Sequence, residues 1–200
     1  MTSVAAPILV AFGANLPNDA VTPARQPAAT LRAALTDLAA EGLRLRLISP
    51  FYATPCFPAG AGPDYVNAVA AFDPPLTSDA ATDPVQILDR LHRVEARHAR
   101  LRISRWAGRT LDLDLLAMGD RILPDVATES RWRLMDPALQ RQKAPDRLIL
   151  PHPRIADRAF VLVPLCDVAP DWRHPATGLT ATDMLNSLPQ GDRDAVRRLD

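Results

Sequence analysis

Residues Thr110–Met118 read TLDLDLLAM. Strand side chains alternate between faces, so Leu111, Leu113 and Leu115 point one way and Asp112 and Asp114 the other. A chain with this segment must build a sheet on which one face of the strand is packed and the other displays two acids. The two carboxylates stand about 6–7 Å apart along the strand and repel each other. The obvious use of such a pair is to share hard cations, and two Mg²⁺ ions fit the platform. A solvated strand face with two unrelated acids would look the same, so the surrounding residues have to decide.

Ile8–Phe12 is a short apolar run ending at Gly13, which reads as a buried strand. Ala28–Ala40 places Leu31, Ala34, Leu35 and Leu38 at helical spacing, and Gly42 is well placed to stop it. Leu43–Leu47 alternates Leu and Arg, which predicts a half-buried strand continuing to Tyr52. Proline and glycine make Thr54 to Asp64 a long loop, and Tyr65–Phe72 reads as a third strand. Asp83-Pro84 opens a helix that runs to about His98, with Val85, Leu88, Leu91 and Val94 on one face. The order is β-α-β-β-α-β, an α+β, ferredoxin-like core with an antiparallel sheet and helices on one face. Beyond it, Asp136-Pro137 predicts a short helix to about Lys143, packed through Trp132, Leu134, Met135 and Leu139. Phe160–Leu165 fits helix or strand equally, and Thr182–Leu188 reads as a last short helix.

Two hundred residues with 48% hydrophobic and 23% charged side chains suit one globular domain spanning residues 1–200. Basic and acidic residues balance at 23 each, which argues against a generic nucleic-acid binder. No uninterrupted apolar run reaches the length of a membrane span, and the N-terminus lacks the pattern of a signal peptide. Cys56 and Cys166 form no CxxC pair and suit a reducing compartment, so a cytoplasmic monomer is expected.

The segment before the acidic strand is strongly cationic. Arg90, Arg93, Arg97, Arg100, Arg102, Arg105 and Arg109 accompany a single acid, Glu95. Arg90, Arg93 and Arg97 lie at helical spacing and read as a solvated face; the later four lie in the loop that leads into Asp112. Guanidiniums grip phosphate oxygens in pairs. Cations beside a metal platform imply a polyphosphate between them. Two further features follow: His152, held between Pro151 and Pro153, and Tyr65 with Asn67, which share a strand face and could present a ring and an amide to a flat heterocycle. No glycine-rich phosphate cradle of the GxxxxGK[ST] or GxGxxG kind occurs, so side chains and metal would hold a nucleotide.

Taken in order, these strings resemble the 6-hydroxymethyl-7,8-dihydropterin pyrophosphokinase family. The resemblance rests on Phe12-Gly13-Ala14-Asn15-Leu16, Ser49–Pro55, Asp64-Tyr65-Val66-Asn67-Ala68, Arg109–Asp114, and Leu150–Arg154 with Arg158-Ala159-Phe160. It implies transfer of the β,γ-diphosphate of ATP to the pterin hydroxymethyl oxygen, with AMP released. It further implies that Asp112 and Asp114 hold two Mg²⁺ ions and that Arg100 and Arg109 stabilise the transferring group. Glu95, Arg102, Arg105, Trp106, Arg147, His152 and Arg158 would contact ATP. Thr54, Pro55, Tyr65, Asn67 and Phe160 would form the pterin pocket. The excursion at about 124–144 has no counterpart in short family members and is expected to be structural.

Two other readings compete. A two-metal nucleotidyltransferase would release pyrophosphate rather than AMP. A ferredoxin-like RNA-binding module would need aromatic residues on its sheet, and aromatics total only 5% of this chain. The partners expected are therefore small molecules, ATP and a reduced pterin, with no nucleic acid and no membrane.

Overall fold

The computed structural model describes residues 6–18, 26–56, 60, 62–74, 83–98 and 109–199. Their order is β1 (Ile8–Ala14), α1 (Pro27–Ala40), β2 (Arg44–Ile48), β3 (Tyr52–Thr54), β4 (Tyr65–Asp73), α2 (Pro84–Arg97) and β5 (Asp112–Met118). There follow α3 (Val126–Arg133), α4 (Pro137–Gln142), α5 (Ala159–Val168), α6 (Ala181–Ser187), α7 (Gln190–Asp194) and β6 (Arg197–Arg198). The strands lie in the order β5-β1-β4-β3-β6, with β2 also on β4. Every ladder is antiparallel. With β2 and β3 counted as one edge, this is the ferredoxin-like arrangement, and α1 and α2 make its two crossovers.

Local signals explain where the crossover helices begin and end. Pro27 occupies the first turn of α1, where its missing N–H costs nothing, and Gly42 with φ +86° turns the chain out after it. Asp83 accepts from the Val85 amide at 3.0 Å and Pro84 opens α2. Arg93 and Arg97 both pair with Glu41, and Arg90 donates to the Glu41 carbonyl. These three arginines thus tie α2 to the end of α1 and leave phosphate chemistry to others.

The second edge departs from the expected continuous strand. Ser49 donates its N–H to Val69 O at 3.0 Å, while its hydroxyl accepts from Val69 N at 3.1 Å. Pro50 then has no N–H to extend the ladder, so the edge breaks into β2 and β3. Nor is β2 half-buried: Leu45 and Leu47 are 40% and 47% exposed. Helices also cover both faces of the sheet, where the sequence pattern suggested one. Ile8, Val10 and Phe12 pack with Leu31, Leu38, Ile87, Leu91, Leu113 and Leu115 under α1 and α2. Leu9, Val69, Ala71 and Leu116 pack on Val161, Leu162 and Leu165 of α5 and Met184 of α6. The ambiguous run at 160–165 is a helix because it is the lid of this second core.

Between Leu123 and Leu150 the chain leaves and returns through a backbone bridge, with Leu123 N to Leu150 O at 2.8 Å and the reverse bond at 3.2 Å. Asp136 caps α4 as expected, accepting from Ala138 N at 2.7 Å. The expected apolar seam is only partly formed, for Leu134 is 74% exposed and Leu139 is exposed as well. The excursion is fastened instead by a buried polar contact that the periodicity did not signal. Glu129 is fully buried, accepts from Arg133 Nε at 2.9 Å, and faces His174 Nε2 at 3.7 Å. No helix among the described residues is long and apolar enough to cross a membrane.

Candidate active site

Strand register brings the chemistry into one line. Tyr52 of β3 lies opposite Asn67 of β4, Asn67 opposite Gly13 of β1, and Gly13 opposite Asp112 of β5. Paired residues share a face, so this row crosses the sheet on the side that α5 covers only in part. Strands lie about 4.8 Å apart, so Asn67 and Asp112 are separated by about 10 Å with Gly13 midway. A cleft over the row is lined by Ala11, Phe12, Gly13, Asn67, Asp112, Asp114, Phe160 and Val161.

The acidic end of the row carries its own counter-charges. Asp112 and Asp114 alternate with the buried Leu113 and Leu115, as the pattern requires. Arg109 Nη1 pairs with Asp112 Oδ2, and Arg158 Nη1 lies 3.6 Å from Asp114 Oδ2. The Arg158 guanidinium also sits 5.6 Å from the centre of the Phe160 ring. Burial lowers the Arg158 pKa, with Asp114 opposing the shift. His152 is docked against the same strand, its N–H bonded to Leu116 O at 2.8 Å, and its Nδ1 accepts from Arg154 N at 3.1 Å. Burial, reinforced by the neighbouring Arg158, pushes its pKa down to about 3. The ring is therefore a neutral imidazole whose Nε2–H can donate to a ligand.

Among the described residues no cluster of three metal-ligating side chains exists. The pair Asp112 and Asp114 nonetheless fits magnesium, which takes one or two carboxylates and completes its shell from water and phosphate oxygens. The site thus has the character of a platform that a metal–polyphosphate complex would complete.

The other end of the row is a small polar pocket. Thr54 and Asn67 are buried, and Asn67 Nδ2 donates to Thr54 Oγ1 at 2.7 Å. Tyr65 is half-buried beside them and its phenol pKa is raised by burial. Tyr52 donates to Asp167 of α5 at 2.7 Å and its pKa rises to about 12 through burial and that carboxylate. Phe160, on the first turn of α5, is 39% exposed and faces the cleft. Pro55 is exposed just beyond Thr54.

Two expected ATP contacts stand differently from the rest. Arg147 is largely exposed, with Asp146 3.6 Å away, and does not line the cleft. Glu95 is buried, and its Oε1 accepts from the Leu113 amide at 2.8 Å, between the two aspartates. The structure thus places Glu95 behind the acidic strand, outside the cleft lining. Arg100, Arg102, Arg105 and Trp106 lie outside the described residues.

Two residues of the site were quoted in the sequence motifs without a role. A Cβ on Gly13 would stand 3.2 Å from Asn67 Oδ1, so glycine keeps the middle of the row open. Asn15 is buried; its Oδ1 accepts from Arg109 N at 2.7 Å and its Nδ2 donates to Pro63 O at 3.2 Å. It joins the pocket loop to the start of the acidic strand. Both belong to the string Phe12–Leu16, and that string was the available signal.

The family model for 7,8-dihydro-6-hydroxymethylpterin-pyrophosphokinase (HPPK) matches residues 9–170. A Pseudomonas aeruginosa protein named 2-amino-4-hydroxy-6-hydroxymethyldihydropteridine pyrophosphokinase is 36% identical over 185 residues, 91% of this chain and 91% of its own. The Haemophilus influenzae protein of the same name is 34% identical over 162 residues, 81% of each chain. In fold, the wild-type Plasmodium falciparum HPPK-DHPS crystal structure with pterin and p-hydroxybenzoate matches with a TM-score of 0.59 at 14% identity. That match covers 91% of this chain and 43% of the solved one, so the chain spans less than half of that longer protein. On the family match and the two bacterial relatives, this chain belongs to the 7,8-dihydro-6-hydroxymethylpterin-pyrophosphokinase family.

Proposed function

We propose that this chain transfers the β,γ-diphosphate of ATP to the hydroxymethyl oxygen of 6-hydroxymethyl-7,8-dihydropterin and releases AMP, a step of folate biosynthesis. The observation that carries the reading is the single row from Asn67, bonded to Thr54, through Gly13 to Asp112. It sets a pocket for a flat polar heterocycle about 10 Å from a carboxylate platform, with an open floor between.

In this reading the pterin edge bonds to Asn67 and Thr54, and Phe160 closes on the ring with Tyr65 opposite. The hydroxymethyl group then points along the row towards Asp112. The pterin oxygen bonds to the β-phosphorus as the bond from that phosphorus to the α,β-bridging oxygen breaks, and the bridging oxygen leaves with AMP. Such a transfer needs in-line positioning and charge neutralisation more than covalent participation by the protein. Asp112 and Asp114 would hold two Mg²⁺ ions; neutralisation of the triphosphate and orientation of the attacking oxygen are what bound magnesium supplies there. Arg109 and Arg158, already counter-ions at the platform, turn to the phosphates, and the neutral His152 donates from Nε2. Arg100 is assigned to the transferring group, and Arg102, Arg105, Trp106 and Arg147 to the ATP side, on sequence alone. Glu95 is assigned there too, acting through Leu113.

The described residues all feed one sheet from β1 to β6, which supports reading residues 1–200 as one pyrophosphokinase domain. We take it to act as a cytoplasmic monomer on small-molecule substrates. Incubation with ATP, Mg²⁺ and the reduced pterin tests the activity. AMP and the pterin diphosphate are expected in equal amounts; release of ADP, or of pyrophosphate with a nucleotidylated product, overturns it.

A further inference from the structure

Where α2 ends, a set of buried polar groups closes on itself outside the cleft. His98 is the residue after α2 and is 4% exposed. Its Nε2 lies 2.6 Å from Asp37 Oδ2 of α1, and its Nδ1 lies 3.4 Å from Asn18 Nδ2. An ionised carboxylate only accepts, so the ring donates to Asp37 and Nδ1 is left to accept from the Asn18 amide. Its N–H bonds back to Val94 O and Glu95 O, which holds the residue on the helix. The His98 carbonyl then accepts from Thr110 Oγ1 at 2.8 Å, twelve residues further along the chain. Thr110 follows Arg109, whose own N–H and carbonyl are gripped by Asn15 and Leu16 at 2.7 to 3.1 Å.

We propose that His98 is a positioning residue for the diphosphate transfer. Clamped between Asp37 and Asn18, it holds Thr110, and through Thr110 it sets the backbone of Arg109 and the entry of Asp112 into β5. The inference rests on the activity proposed above. His98 and Asn18 are buried, while Asp37 and Thr110 are partly buried, so a lost partner leaves a polar group of the clasp poorly satisfied. The imidazole therefore cannot swing free. The start of the strand is also packed independently of the clasp, through the fully buried Leu111. What the clasp adds is the exact orientation of the two residues immediately before Leu111, one of which pairs with Asp112. A displacement of about 1 Å in a group that meets the transferring phosphates lowers turnover as much as 100-fold.

Thr110→Val, His98→Ala and His98→Gln test this, with AMP formation, substrate binding by calorimetry and thermal melting measured for each and for the wild type. Thr110→Val keeps the shape and deletes the bond to His98 O. It is expected to stay folded with a lowered melting temperature, to keep both substrate affinities within about threefold, and to lose kcat by roughly 10–100-fold at a temperature where it is fully folded. His98→Ala is expected to show the same split, and His98→Gln, whose amide can donate to Asp37 and accept from Asn18, to recover most of the rate. Should His98→Ala fail to fold, Thr110→Val and His98→Gln carry the test. The proposal is overturned if folded Thr110→Val turns over at the wild-type rate, if kcat falls only in step with binding or melting, or if His98→Gln is no better than His98→Ala. A wild type that makes no AMP removes the activity itself; a wild type that makes AMP beside unchanged variants removes only the role of His98.

Discussion

The two faces of the sheet are made from the same strands and have opposite jobs. Under α1 and α2, the side chains of β1 and β5 are apolar from end to end: Ile8, Val10 and Phe12, then Leu111, Leu113 and Leu115. On the other face, α5 and α6 seal only one half, over Leu9, Val69 and Leu116. The remaining half holds Gly13, Asn67, Asp112 and Asp114 in an open cleft. The comparison teaches that one strand can carry stability and chemistry on alternate residues, because parity keeps the two apart. Substitutions one residue apart should therefore fail in different ways.

The largest expected effect is on that contrast. Asp112→Ala or Asp114→Ala should cost at least about 100-fold in activity, the scale of losing a key electrostatic group, with melting close to wild type. Leu113→Ala, between them but on the dry face, should cost about 2–4 kcal/mol of stability. Urea unfolding and AMP assays on the same preparations check both, and an Asp112→Ala protein with near-normal turnover ends the metal assignment. Next is Gly13→Ala. Its added methyl meets Asn67 Oδ1 at 3.2 Å and stands in the row, so kcat/KM should fall about tenfold, a misplacement effect, with little change in melting. An unchanged kcat/KM would mean that the reacting groups do not pass over Gly13.

Phe160→Ala is smaller. Loss of stacking worth about 1 kcal/mol should weaken pterin binding about fivefold and leave ATP binding intact. Calorimetry showing the reverse would move Phe160 to the nucleotide side. The smallest effect concerns protons. His152 titrates near 3 in the folded protein against an ordinary 6.5, so between those values the unfolded chain binds more protons. Stability from this group is full above about 6.5 and declines as the pH falls towards 3. His174, also lowered by burial, acts in the same direction. The urea midpoint should drop between pH 7.5 and 5, and less so in His152→Gln; an equal drop in both places the pH dependence elsewhere.

Much of this was legible before any coordinates. Period alone put Asp112 and Asp114 together, and element order alone implied the ferredoxin-like sheet. The misreadings have physical causes. The Leu-Arg alternation of 43–47 implied half-burial, but only Leu43 and Ile48 at its ends pack on the core, and Ser49-Pro50 breaks its ladder. Phe160–Leu165 lacks a period because nearly every side is enclosed. The helix α3 is held by a buried Glu129 instead of an apolar stripe, so hydrophobic spacing had nothing to report. Glu95 sat among arginines, and its bond to the Leu113 amide was not legible there because the two are remote in sequence. His98 looked like a helix end; its partners Asp37, Asn18 and Thr110 are remote in sequence.

The acidic strand β5 lies at the outer end of the sheet order, so among the described residues its far side faces no neighbouring strand. An edge of this kind is a template on which another chain can add a strand. Glu95 covers part of it, because its carboxylate occupies the amide of Leu113, and the His152 amide takes the Leu116 carbonyl further along. The same oxygen that stiffens the strand between its two acids therefore also guards it against self-association. Removing that carboxylate would leave the Leu113 amide open to another chain, and a search for aggregation-resistant variants should leave Glu95 in place.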